Sequence, residues 1–182
     1  DDLSWSDIER EQGKYQIRPE LDRLADTAIQ NGIKLLFVTG YNNYAVYPDK
    51  FTKKFPTTQE MLDAYGNAVV FAVKHFGNRV TEWELWNEPN AAHPVKDYLP
   101  MLKTLYPKIK AANPNAIVIS CGGGGAGGGP GGAMIVPIVN AGGVEFQDGF
   151  SIHPYMAPHD PDFGYDAGSN SPIPAVNIPI FT

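Results

Sequence analysis

The sequence is poor in cysteine, in positive charge and in long apolar runs. The single cysteine, Cys121, cannot form an internal disulfide, and one thiol is too few for a zinc site built on thiolates. Lys and Arg number 14 against 20 Asp and Glu, a net charge of −6, which argues against a nucleic-acid partner. No run approaches the roughly 18 apolar residues of a membrane span, and no signal-peptide pattern opens the chain, so we expect a soluble or already processed protein.

The composition that is present predicts a globular protein. Hydrophobic residues make up 43% and charged residues 19% of the 182 positions, with 9 Phe, 9 Tyr and 3 Trp. This content is sufficient to bury a sizeable core, and it excludes disorder of the chain as a whole.

Helical and strand patterns alternate through the first two thirds of the chain. Amphipathic spacing predicts helices from Pro19, from a Thr57/Glu60 capping box to Phe76, and over about Val95 to Ala112. Short apolar runs between and after them predict strands at 33–39, 81–86 and 116–120. Such alternation indicates right-handed crossovers and a parallel sheet, hence an α/β fold.

Outside this region the patterns are weaker. Leu3 to Tyr15 is typical of a loop that leaves a strand, and Gly122 to Gly132 holds nine glycines in eleven positions, which excludes a helix there. We expect a short helix at about 133–141, strands at 149–153 and 178–182, and no helix in the proline-rich segment between those strands.

Trp83 to Asn90, with the sequence WELWNEPN, is the densest chemical signal. A predicted strand ends there in an amide, a carboxylic acid and a proline, and in parallel barrels the C-terminal strand ends form the active site. Glu88 therefore lies where a general acid would be held, and Asn87 is suited to bind a substrate hydroxyl. An isolated Asn-Glu-Pro is a turn with a solvated carboxylate, but the strand and the tryptophans favour the catalytic interpretation.

The same stretch resembles the acid/base signature of the clan A glycoside hydrolases, which are retaining (β/α)8-barrel enzymes. Other stretches resemble that clan in order and spacing, particularly family 39 and the related family 5. They are Leu3–Tyr15 after the second barrel strand, Ile109–Pro114 with the following strand as the fourth helix and fifth strand, Asp148–Tyr155 as the sixth strand, and Ile178–Thr182 as the start of the seventh.

The resemblance implies a role for particular residues. Glu88 would be the general acid/base, Asn87 a contact to the sugar 2-hydroxyl, and His153 and Tyr155 cleft residues that orient the nucleophile. The nucleophilic Glu would be the residue after Thr182, just beyond the end of this chain.

Aromatic side chains at predicted strand ends are candidates for stacking on sugar rings. For Trp86 and Tyr155 we favour the cleft over the core, whereas for Trp5 and Tyr41 both interpretations stay open.

No second carboxylate of the chain is placed to complete the chemistry. Glu84 and Glu88 are four residues apart on one extended segment, about 13 Å, whereas a retaining pair lies about 5 to 5.5 Å apart. Asp2, Asp160 and Asp162 are candidates for an inverting partner, but nothing in the pattern positions them.

Other ligand classes have weaker support. The glycine run matches Gly-x-Gly-x-x-Gly, yet no Gly-Lys-Ser/Thr follows and no acidic residue in a βαβ context accompanies it, so we do not expect a nucleotide. His153, His159, Asp160 and Asp162 lie in a proline-rich segment without regular ligand spacing, so we predict no metal site and no cofactor.

We therefore predict an α/β fold, an incomplete (β/α)8 TIM barrel of about strands 2 to 7, forming a single partial catalytic domain over 1–182. Its predicted activity is retaining hydrolysis of β-glycosidic bonds in oligo- or polysaccharide. Two alternatives stay open: a non-catalytic carbohydrate-binding fragment or pseudoenzyme, and a small α/β ligand-binding domain with an accidental Asn-Glu-Pro. Open barrel edges predict self-association, and a secreted or periplasmic location is favoured by analogy alone.

Overall fold

The computed structural model describes residues 2–51, 55–89, 92–124, 134–153, 163–166 and 171–174. In chain order the elements are β1 (Asp2–Ser4), α1 (Trp5–Ile8), β2 (Glu9–Glu11), β3 (Lys14–Tyr15), α2 (Pro19–Gln30), β4 (Leu36–Gly40), α3 (Gln59–Phe76), β5 (Glu82–Leu85), α4 (Leu99–Ala112), β6 (Ile117–Gly124), α5 (Ile135–Asn140), β7 (Gly149–His153), β8 (Phe163–Asp166) and β9 (Ser171–Pro174). Short 3₁₀ turns cover Gly77–Arg79 and Gly143–Phe146, and a π-helical turn, Pro94–Tyr98, leads into α4.

Five strands form one parallel sheet in the order β1-β4-β5-β6-β7, and every neighbouring pair is parallel. Helices α2, α3 and α4 lie in the first three crossovers between successive strands of this sheet, and α5 lies in the fourth. The predicted α/β class and parallel sheet are thus confirmed. Because parallel strands end at the same edge, the loops after β4 and β5 lie side by side.

The main core lies between the sheet and its helices. Phe37 of β4, Trp83 of β5 and Phe76 of α3 are at most 2% exposed and pack ring against ring at 5.0 to 6.2 Å. On the other face, Val38, Glu84 and Ile119 occupy equivalent register positions in neighbouring strands. This alternation follows from the two-residue period of a strand.

The predicted helix ends are close to those observed, with one shift. Helix α3 ends at Phe76 and is capped by Gly77, whose φ of 53° favours glycine, but its N-cap is Thr58, whose hydroxyl accepts from the Met61 N–H. The predicted capping box on Thr57 was therefore wrong by one residue. The Glu60 carboxylate instead pairs with Lys50.

The structure differs from the expectations mainly at the two ends of the chain. The segment predicted as a loop near the start contains α1 and the small antiparallel pair β2–β3. Beyond β7, the described backbone adds the antiparallel pair β8–β9 in the segment where we expected no helix. The strand predicted at 178–182 lies outside the described residues. Among the described helices, none is both long and apolar enough to cross a bilayer.

Candidate active site

A pocket of about 540 Å³ lies at the C-terminal ends of β4 and β5. Its walls come from the loop that follows β4 and from the loop that follows β5. The lining residues are Tyr41, Asn42, Tyr44, Phe55, Trp86, Asn87, Glu88, Pro89 and Ala92. The motif singled out from the sequence therefore forms one side of a cavity large enough for a sugar.

The backbone around this pocket is strained. Tyr41, Trp86 and Glu88 have φ values of 62°, 72° and 43°, and in the described part of the chain they are the non-glycine residues with positive φ. Each such conformation costs on the order of 1–3 kcal/mol and persists only where its surroundings impose it. These conformations lie within three residues of the ends of β4 and β5, where the chain leaves the sheet and its side chains line the pocket.

One hydrogen bond joins the two loops, and a second lies within the loop that follows β4. The Asn87 side-chain amide donates to the Tyr41 hydroxyl at 3.1 Å, and the Asn42 amide donates to the Tyr44 hydroxyl at 3.0 Å. Tyr41 is 42% and Tyr44 54% exposed, so large parts of both rings are open to solvent. Such exposed rings, each fixed by its hydroxyl, are suited to stack on the apolar face of a sugar.

Trp86 serves both the core and the pocket. It is only 4% exposed, and its ring packs against Phe55 at 5.8 Å and edge-on against Tyr65 at 5.4 Å. It nevertheless contributes to the pocket lining. Trp86 therefore belongs to the core and also borders the pocket.

Glu88 is the only carboxylic acid among the described lining residues. It is partly buried and follows the strand by three positions, beyond the bend at Trp86. A carboxyl that lines the cavity and is held on positive-φ backbone is placed to meet a bound ligand. The estimate of about 13 Å between Glu84 and Glu88 assumed an extended chain, whereas the strand ends at Leu85 and the backbone then bends.

Trp5 does not belong to this cavity. It is completely buried, packs against Tyr47, Phe51 and Tyr65, and donates its indole N–H to Glu9 at 2.6 Å. No face of the ring is open to a sugar, so the interpretation of Trp5 as a stacking residue is corrected to a core role. The short helix α1, absent from the sequence prediction, turns the indole inward.

The carboxylate that holds Trp5 was missed by sequence reasoning. Glu9 is 0% exposed and also accepts from the Gly13 N–H at 2.7 Å and the Tyr47 hydroxyl at 2.9 Å. Its backbone carbonyl accepts from Asn43 at 2.6 Å. Burial first, then the bond to Glu9, raises the pKa of Tyr47 well above its usual value, so the phenol stays a donor. Glu9 thereby anchors the loop that carries Tyr41 and Tyr44.

Several predicted site residues lie outside what the structure describes. His153 ends β7 by its backbone, but its side chain is not described, and Tyr155, His159, Asp160 and Asp162 fall outside the described residues. In the described ranges, no three His, Cys, Asp or Glu side chains are grouped so that they could hold a metal ion. Cys121 is fully buried, as expected of a small apolar residue.

Five lining residues were not among the predicted site residues, namely Asn42, Tyr44, Phe55, Pro89 and Ala92. Asn42 and Tyr44 directly follow Tyr41 in the loop after a predicted strand, so their place at a strand end was a usable signal. Phe55 had no comparable signal because it lies far along a loop without periodicity.

Comparison with known proteins gives one strong likeness. No protein-family model matches the chain, and neither does any curated protein sequence. A family 39 glycoside hydrolase from the gut symbiont Bacteroides cellulosilyticus WH2 is 57% identical, with a TM-score of 0.87, over 98% of this chain and 36% of its own. Endo-glycoceramidase II from Rhodococcus sp. in its cellobiose-like imidazole complex is 16% identical, with a TM-score of 0.51, over 65% of this chain and 39% of its own.

These likenesses define the fold. The five parallel strands and their helices form part of an α/β TIM barrel, and the chain spans 36 to 39% of the length of these two proteins. The second likeness, at 16% identity, supports the fold alone. In a TIM barrel the C-terminal strand ends form the active site, which is where the pocket lies.

Proposed function

Because this chain is related to family 39 of the glycoside hydrolases along 98% of its length, we propose that the protein hydrolyses β-glycosidic bonds in oligo- or polysaccharide. The observation that carries the proposal is the pocket itself. Glu88, the one acid among the described lining residues, stands just after β5 in a 540 Å³ cavity that Tyr41, Tyr44 and Trp86 also line. Aromatic walls that bind a sugar beside one proton donor are what glycoside cleavage requires.

We propose that the reaction proceeds with retention, in two displacements. Glu88 protonates the leaving oxygen in the first step and removes a proton from the attacking water in the second. The nucleophilic carboxylate lies about 5 to 5.5 Å from Glu88 in such a mechanism. By the resemblance to the clan A glycoside hydrolases, we assign it to the end of the seventh barrel strand.

The remaining pocket residues bind and orient the sugar in this proposal. Asn87, held by Tyr41, is placed to contact the sugar 2-hydroxyl, and the exposed ring of Tyr41 stacks on the sugar. His153 and Tyr155 are proposed to line the cleft beside the nucleophile.

Hydrolysis of a panel of aryl β-glycosides by the full-length protein tests the role of Glu88. We expect Glu88→Gln to lower kcat/KM for phenyl glycosides by about 10²- to 10⁴-fold, the usual contribution of a general acid. Glu145→Gln is the matched control, because Glu145 is an exposed acid on the 3₁₀ turn after α5. Equal activity of the Glu88 variant and the control would overturn the assignment.

A non-catalytic carbohydrate-binding role is the second candidate. It is favoured by the presence of one acid, not two, among the described lining residues. Under this alternative, oligosaccharides change the fluorescence of Trp86, but no panel member is hydrolysed by the full-length protein. Turnover that Glu88→Gln abolishes would exclude it.

A further inference from the structure

The backbone that leads to Glu88 is held by two buried tyrosine hydroxyls, neither of which lines the pocket. Trp86 and Glu88 both have positive φ, a conformation that side-chain-bearing residues adopt only where the surroundings impose it. Residues Glu84, Leu85 and Trp86 precede the acid, and each of them is hydrogen-bonded through its backbone to a side chain from another element.

Tyr98 holds Leu85. It ends the π-helical turn before α4 and is 0% exposed. Its hydroxyl donates to the Leu85 carbonyl at 2.5 Å and accepts from the Cys121 N–H of β6 at 2.9 Å. One hydroxyl therefore connects the last residue of β5 to the neighbouring strand.

Tyr65 holds the residues on either side of Leu85. It belongs to α3, is 1% exposed, and lies 2.7 Å from the Thr39 hydroxyl of β4. Thr39 gives its only hydroxyl hydrogen to the Glu84 carbonyl at 3.0 Å, so the Tyr65 phenol donates to Thr39. The Trp86 backbone N–H in turn bonds to the Tyr65 hydroxyl.

Both phenols are fixed in their protonated form. Burial raises the pKa of Tyr65 and of Tyr98 well above the usual value for tyrosine. Each hydroxyl thus remains a donor through the pH range in which a glycosidase is assayed.

We propose that Tyr65 and Tyr98, the tyrosine clamp, are positioning residues that fix the bend after β5 and thereby aim the Glu88 carboxyl at the leaving oxygen. The proposal rests on the proposed acid role of Glu88. Among the described residues, both hydroxyls bond to backbone groups and to Thr39, and neither tyrosine lines the pocket. The clamp therefore influences the reaction through the direction of Glu88 and not through contact with the sugar.

Substrates with different leaving groups distinguish a misdirected Glu88 carboxyl from a general loss of folded protein. A 2,4-dinitrophenyl glycoside departs with little protonation, whereas a phenyl glycoside needs the acid, so a misaimed Glu88 slows only the second substrate. We expect Tyr98→Phe and Tyr65→Phe in the full-length protein to lower kcat/KM about tenfold for the phenyl substrate and less than about twofold for the dinitrophenyl substrate. A variant that merely unfolds in part loses the same factor on both.

Tyr106→Phe is the matched control. The Tyr106 hydroxyl of α4 donates to Asp148 at 3.1 Å, outside the clamp, and its removal should leave both substrates unchanged. Thr39→Val removes the hydroxyl between Tyr65 and Glu84 at nearly constant shape, and it carries the test if either tyrosine variant lacks the native circular dichroism spectrum.

The outcomes distinguish failure of the clamp proposal from failure of the proposed acid role of Glu88, on which the clamp depends. Selective loss on the phenyl substrate supports the clamp. Suppose that Glu88→Gln lowers kcat/KM for the phenyl substrate selectively. Equal losses of kcat/KM on both substrates in the tyrosine variants, or no loss, would then overturn the clamp but not the acid role of Glu88. A Glu88→Gln variant without that selectivity removes the acid role, and the clamp with it.

Discussion

Gly40 ends β4 directly against the backbone of the loop that follows β5. A Cβ at this position would lie 3.3 Å from the Asn87 nitrogen and 3.5 Å from the Trp86 Cα. The first distance is tighter than ordinary van der Waals contact, and the atoms it meets are backbone atoms that are already strained. The absence of a side chain at Gly40 is therefore a condition for the shape of the pocket.

We expect Gly40→Ala to lower kcat/KM in the full-length protein by about tenfold, because a displacement of Trp86 and Asn87 by a fraction of an ångström also moves Glu88. Gly66→Ala in α3 is the control. Its Cβ meets Leu105 at an ordinary 3.5 Å, and alanine in a helix interior should add about 0.5 to 1 kcal/mol of stability. Kinetics and urea unfolding of both variants check this, and full activity of Gly40→Ala would contradict it.

Glu9 illustrates a second single-residue effect, a carboxylate surrounded by donors. Replacement by Gln turns one acceptor oxygen into an N–H₂ group that faces the Trp5 indole or the Gly13 and Tyr47 donors. We expect Glu9→Gln to cost about 2 kcal/mol of unfolding free energy. Glu11→Gln is the control, because its partner Lys14 is exposed and the pair contributes little. Equal urea midpoints for the two variants would refute the prediction.

At the scale of elements, helix α2 is tied to the end of α3 by charges. Asp22 accepts hydrogen bonds from His75 at 2.8 Å and Arg79 at 2.7 Å, and Asp26 also pairs with Arg79. Burial acts to raise the pKa of Asp22, but the bonds from His75 and Arg79 outweigh it, and the net pKa is lowered. Folding therefore favours the ionised form of the Asp22 carboxyl.

This lowered pKa predicts that the contribution of Asp22 to the free energy of unfolding depends on pH. The stabilisation is present above the unfolded pKa of about 3.9 and is lost as the pH falls through the lower folded value. We expect Asp22→Asn to destabilise the protein by about 1 kcal/mol at pH 7 and by progressively less below about pH 4. Thermal melts from pH 3 to 8 measure the difference, with exposed Asp49→Asn as control, and a difference that persists undiminished at pH 3 would argue against the link.

The sequence predicted these elements where local signals were strong. Helix α2 was expected from Pro19, its observed first residue, and α3 ends just before Gly77, whose positive φ favours glycine. The helix expected from Val95 begins as a regular α-helix only at Leu99. Pro100 has no N–H to donate to the carbonyl four residues earlier, and the preceding turn is π-helical.

At the scale of the whole molecule, the parallel sheet and the position of Glu88 were predictable, whereas the aromatic wall was only partly so. Alternating apolar runs determine sheet order through the crossover rules, and the strand end then locates Glu88. The roles of Phe55 and Trp5 depend on tertiary contacts. Phe55, 31 residues before Trp86 in the sequence, packs against the Trp86 ring, and the Trp5 indole donates to the buried Glu9. Periodicity carries no information about such contacts.

The outer strand β7 predicts how the 182-residue polypeptide behaves by itself. Phe150 and Ile152 lie on one face of β7 and are 38% and 42% exposed, and β7 is an end strand of the described five-stranded sheet. Exposed apolar edge strands pair with other chains, and lysine at an edge opposes that pairing.

We expect this polypeptide to self-associate as its concentration rises, and Phe150→Lys with Ile152→Lys to raise the dissociation constant at least about tenfold. Val136→Lys, at a 64% exposed position of helix α5, is the control that adds charge without touching a strand. Sedimentation velocity over a range of concentrations checks this: association that persists unchanged in the double lysine variant would show that β7 is not the contact surface.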